Sequence, residues 1–103
     1  MDFDAEKEER FMQAWIGALG TNFTPRVKAL VSQTILLFLE LEMATSNEDV
    51  ERAVLSRRAL VGDSEFWQIA DARAAAFRLV GDRAGEARHL EIVKGIKKVL
   101  WFW

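Results

Sequence analysis

Between Thr24 and Met43 apolar side chains recur at three- and four-residue steps, a spacing that confines this stretch to helix. Val27, Leu30, Val31, Thr34, Phe38 and Leu41 share one face of a 3.6-residue repeat. Ile35, Leu37, Leu39 and Met43 add apolar groups beyond that face. A helix apolar over most of its circumference needs neighbours on more than one side. Its start is marked as well. Thr24 is a good N-cap, and Pro25 stands at the first helical position, where its missing N–H costs nothing. Residues 25–44 are therefore expected to form the central helix.

Four further helices follow from the same reading, over about residues 4–19, 47–61, 64–80 and 84–101. In the first, Phe11, Trp15, Ala18 and Leu19 form the apolar stripe, acidic residues crowd the opening turns, and Gly20 suits a left-handed C-terminal cap. Ser46 and Asp49 make an S-x-x-D capping pattern for the third. Asp63 or Ser64 caps the fourth, whose Phe66, Ala70, Ala74 and Phe77 share a stripe and whose alanines allow close helix–helix approach. His89 opens the apolar face of the fifth, followed by Ile92, Val93, Ile96, Val99 and Leu100.

No stretch alternates with period two, so the fold class is all-α: one domain, a compact bundle of about five helices. Leu60-Val61-Gly62-Asp63 recurs as Leu79-Val80-Gly81-Asp82. Each copy ends one helix and offers an aspartate to cap the next, so the last three helices should pack as antiparallel hairpins. The segment from Phe77 to Ala87 is similar to the turn of a tetratricopeptide repeat. That likeness covers one turn; the repeat's Trp-x-x-Leu-Gly-x-x-Tyr signature and 34-residue period are missing, and no family is assigned on it.

Composition removes several chemistries. The 103 residues include no cysteine, which excludes disulfides, thiolate metal sites and thiol nucleophiles. There is one histidine, and no serine lies in a G-x-S-x-G setting, so no Ser–His arrangement stands out. The six glycines form no phosphate-binding loop. The amino terminus is acidic where a secretory signal is basic, and the longest apolar run, Ile35 to Leu39, is far short of the roughly 20 residues of a membrane span. A soluble cytoplasmic protein without cofactor is expected.

Three constellations remain. Glu86 and His89 have the Glu-x-x-His spacing of carboxylate-bridged di-iron bundles, with Glu40 and Glu42 as possible added ligands. A single histidine would then require a homodimer. The competing reading makes Glu86 a first-turn acid and lets Glu40 and Glu42 pair with Arg57 or Arg58. The second constellation is charge. Residues 1–51 carry 10 acidic and 4 basic side chains, residues 52–103 carry 6 and 10, giving -6 and +4. A basic carboxyl half can serve an acidic partner or nucleic acid, or the halves can complement each other. The total of -2 works against non-specific nucleic-acid binding.

The third is the run Leu100-Trp101-Phe102-Trp103. Three consecutive aromatics on a helix cannot all face one core, and aromatic residues anchor protein interfaces. The expected function is accordingly non-catalytic: a small interaction, adaptor or regulatory protein, self-associating or docked to another protein, with Trp101, Phe102 and Trp103 as anchor.

Overall fold

A computed structural model describes residues 5–102, without the side chain of Phe102. Six α-helices follow one another: α1 (Ala5–Leu19), α2 (Pro25–Met43), α3 (Asn47–Ser56), α4 (Arg58–Val61), α5 (Ser64–Leu79) and α6 (Arg83–Phe102), with a 3-10 turn at Gly20–Asn22 after α1. Among the described residues there is no strand. The all-α bundle expected from the periodicity is the fold observed.

The helix ends obey local chemistry. Thr24 Oγ1 accepts a hydrogen bond from the Val27 N–H at 3.2 Å, with Pro25 at the first position of α2. Ser46 Oγ accepts from the Asp49 N–H at 3.2 Å, but the Asp49 carboxylate does not close the reciprocal box. It reaches one residue further, taking the Thr45 N–H and hydroxyl, each at 3.1 Å. Those two donors hold the Asp49 carboxyl below its ordinary range. Asp63 caps α5 through the Glu65 N–H at 2.9 Å, and Asp82 caps α6 through the Gly85 N–H at 2.8 Å.

The repeated Leu-Val-Gly-Asp segment folds in two ways. Gly81 has φ +76°; its N–H reaches the Arg78 carbonyl at 3.1 Å while the Asp82 N–H reaches Phe77 at 2.9 Å, the double bond of a Schellman cap. Gly62 stays right-handed at φ -84° and returns its N–H to the Arg58 carbonyl at 3.0 Å.

One helix expected to run unbroken over residues 47–61 is divided at Arg57, whose φ and ψ are -124° and 39°. Ser56 Oγ donates to the Ala53 carbonyl at 2.9 Å, a back-bond that bends helices. Packing gives the break its reason. Ala53, Val54, Leu60 and Val61 are all buried. An unbroken helix would put Arg57 in the middle of their stripe. The break swings it out to Glu40, 2.6 Å away.

Two apolar clusters share α2 and α5. The larger joins Leu37, Phe38 and Leu41 of α2 to Val54, Leu60 and Val61, to Phe66 and Ala70 of α5, and to Ile96 and Val99 of α6. The smaller joins Trp15 and Leu19 of α1 to Val27 and Val31 of α2 and to Ile69, Ala72 and Ala76 of α5. Fully burying a Leu, Ile or Phe contributes roughly 1.5–3 kcal/mol. The expected central helix is thus one of two; α5 shares the position with it.

Candidate functional site

The most unusual side chain lies where the two clusters meet. Arg73, in the middle of α5, stands one turn beyond Ile69 and one turn before Phe77, so the helix carries it inward with its apolar neighbours. Its guanidinium carbon lies 4.4 Å from the Phe38 ring centroid, 5.0 Å from Phe77, 5.7 Å from Trp15 and 5.8 Å from Phe11. Ring faces attract a cation, most strongly where water is kept away. Among the described residues no carboxylate lies within ion-pair distance of Arg73. Desolvation lowers its pKa from the ordinary value, and the charge of Glu42 opposes that shift from a distance.

Arg73 Nη1 lies 2.9 Å from Nδ1 of His89. A guanidinium has only donors, so Nδ1 is the unprotonated, accepting nitrogen. The ring is 2% exposed and stacks on Phe38, centroids 5.1 Å apart. Burial, reinforced by the positive charge of Arg73, pushes the His89 pKa down to about 4, against the Ala70 backbone and Glu86, which act the other way. His89 is therefore neutral near pH 7, with Nδ1 given to Arg73.

Above Arg73 opens a cleft of about 800 Å³. Phe11, Met12 and Trp15 of α1 line one wall, Ile35, Phe38 and Leu39 of α2 the other, and Phe77 and Val80 one end. Lys7, Glu8, Glu42 and Asp82 complete its lining. A lobe of about 220 Å³ continues between α5 and α6, and the two share Glu42, Arg73, Phe77 and Asp82. Trp15 is fixed by donating its indole N–H to the Ile69 carbonyl at 3.0 Å. Gly85 lets α6 approach: a Cβ there would lie 2.5 Å from the Phe77 ring and 2.6 Å from the Asp82 carboxylate.

The residues singled out from the sequence lie elsewhere or act differently. Glu86 and His89 share α6 yet have separate partners, since Glu86 pairs with Arg78 at 2.6 Å. Glu42 pairs with Arg88 at 3.4 Å and Glu40 with Arg57 at 2.6 Å. Among the described residues no three His, Asp or Glu gather into a metal-sized group, and a guanidinium 2.9 Å from His89 opposes a cation. Arg58 opens α4. Leu100 packs against the larger cluster. Trp101 stands 85% exposed near the end of α6. Trp103 and the side chain of Phe102 lie outside the described residues. No helix among the described residues is long and apolar enough to cross a membrane.

The pairs Arg57–Glu40 and Arg88–Glu42 join the basic carboxyl half to the acidic amino half.

Charge counting leaves Arg73 as one of the ten basic residues of the carboxyl half. The signal was present: Ile69 and Ala70 lie one turn before it and Ala76 and Phe77 one turn after. No family model, curated protein or solved structure matches the chain.

Proposed function

We propose that this chain is a non-catalytic helical interaction protein, an adaptor or regulator, that receives an apolar group bearing a negative charge in the cleft over Arg73. One observation carries the reading: a guanidinium is held among four aromatic rings, at the floor of an open cleft, with a neutral imidazole as its hydrogen-bonded neighbour. Withdrawing a cation from water costs several kcal/mol unless an anion compensates. A bound anion supplies that compensation. The one imidazole, which acid–base or nucleophilic chemistry would call on, is buried with its Nδ1 given to Arg73, which favours binding over reaction. Arg52, Arg57, Arg78 and Arg88 each face a carboxylate, which leaves the basic half a poor surface for nucleic acid.

The test uses 8-anilinonaphthalene-1-sulfonate, an apolar monoanion whose emission rises in dry sites. Its emission should rise with the native chain and fall several-fold with Arg73→Gln at unchanged helical circular dichroism. Equal emission from both proteins overturns the reading.

A second surface is favoured by the exposure of Trp101. Aromatic anchors of this kind mediate protein–protein contact, and self-association through the end of α6 is the form we propose. Solution mass of the native chain and of Trp101→Ala tests it: a native dimer that becomes monomeric supports it, and identical masses remove it.

A further inference from the structure

We infer that the cleft is a site for a small monocarboxylic acid with a planar apolar body, and that Glu42 sets its affinity as the resident competing carboxylate. The inference rests on the binding reading above and narrows it to one ligand class.

Size comes first. A cleft of about 800 Å³ lies within the range of small-molecule sites, roughly 300–1,000 Å³. The lining residues of α1 run from Lys7 to Trp15, a length of about 12 Å at the helical rise.

The floor selects an anion with directional acceptors. Arg73 spends Nη1 on His89. Among the described residues no buried side-chain nitrogen lacks a partner, and Arg73 lines both lobes, so its remaining donors are not sealed from the cleft. A carboxylate matches that fork, with two oxygens facing two parallel N–H groups.

The lining limits the charge to one. Across both lobes Glu8, Glu42 and Asp82 stand with Lys7, Arg73 and Arg88. Three carboxylates and three cations leave no surplus positive charge to hold a phosphate dianion or a polyanionic chain, while one carboxylate seated on Arg73 is tolerated. The walls select the body. Phe11, Trp15, Phe38 and Phe77 offer ring faces and edges to a planar group, and Met12 adapts to its outline.

Glu42 sets the affinity. It lines both lobes, and it is the carboxylate whose charge acts on Arg73. Arg88 tethers it from α6 at 3.4 Å. An incoming carboxylate must share Arg73 with this neighbour, so removing the Glu42 charge strengthens binding.

Isothermal titration at pH 7.5 with 6-phenylhexanoate and its neutral amide provides the test, with Trp15 indole N–H resonance and helical circular dichroism reporting that each variant is folded. The acid should bind about tenfold more tightly than the amide, the difference a charge-assisted contact supplies. Arg73→Gln should abolish that preference. Glu42→Gln, a change at the cleft's edge, should tighten the acid about threefold and leave the amide unchanged. Inorganic phosphate should not compete. Equal affinity for acid and amide overturns the inference, as does a Glu42→Gln protein that binds the acid no better. If neither compound binds but a 15-residue amphipathic peptide carrying a single glutamate does, in an Arg73-dependent way, the ligand class is wrong and the binding reading stands. If none of the three binds at millimolar concentration, both fall.

Discussion

Two arginines are drawn away from solvent in this molecule, and the regions that hold them neutralise them in opposite ways. At the α2–α3–α4 seam, Arg57 breaks a helix to reach Glu40 at 2.6 Å, and its side chain remains 25% exposed. In the cleft between α1, α2 and α5, Arg73 is carried inward by an unbroken helix and meets four rings and a neutral histidine. The first region bends its backbone to satisfy a charge. The second keeps its backbone regular and surrounds the charge with ring faces; in the function proposed above, a bound anion balances it.

That contrast is most exposed to acid. The His89 pKa is about 4 when folded and 6.5 ordinarily, so the unfolded chain takes up the proton first as pH falls. Folded stability is therefore full above about 6.5 and declines toward pH 4, by about 3 kcal/mol between the limits. Denaturant titrations at pH 7 and pH 4 measure the loss, and His89→Gln should flatten it, since the Arg57 region holds no histidine. An unchanged slope in that variant would mean that the cleft is not the acid-sensitive region.

Next in size is Gly85→Ala. Overpacking against Phe77 and Asp82 costs roughly 1–3 kcal/mol, and better helix propensity returns about 1. A net loss of up to about 2 kcal/mol is expected in thermal unfolding, together with weaker binding of anionic probes as Phe77 shifts. The same change at Gly95, where the nearest atom beyond its own helix is 3.9 Å away, should stabilise.

The arginines themselves give the sharpest contrast at about 1 kcal/mol. Arg57→Ala should cost up to about 1 kcal/mol, less at high salt, because its pair is half in water. Arg73→Met should leave stability within about 1 kcal/mol of the native protein or raise it, because it removes a desolvated charge, while abolishing anion binding. A loss above about 3 kcal/mol would show that Arg73 is structural and erase the distinction. Smallest is Trp101→Ala, within about 0.5 kcal/mol of native stability as an exposed site, with its effect confined to self-association.

Features set by neighbours in the chain were legible in the sequence. Thr24 and Pro25, Ser46, Asp63 and Gly81 act where spacing places them, because caps are decided within four residues. The division at Arg57 was not legible, since it depends on Glu40 lying across a seam and on a serine hydroxyl turning back on its own helix. Membership of His89 in an apolar face could be read from periodicity. Its partner could not, because Arg73 is 16 residues away and no local pattern joins them. The Glu-x-x-His spacing was real as geometry, but tertiary packing gave its two members to different arginines.

The bond from Trp15 to the Ile69 carbonyl and the bond between Arg73 and His89 have a mechanical consequence. An alanine-rich helix such as α5 is a smooth rail, along which α1 and α6 could slip by a turn at little cost in apolar contact. One polar link from α1 and one from α6, a helical turn apart on α5, fix where each neighbour sits. Neither can ratchet along α5 without stranding the indole N–H or parting the imidazole from its guanidinium. The two helices that flank α5 are thereby indexed to it.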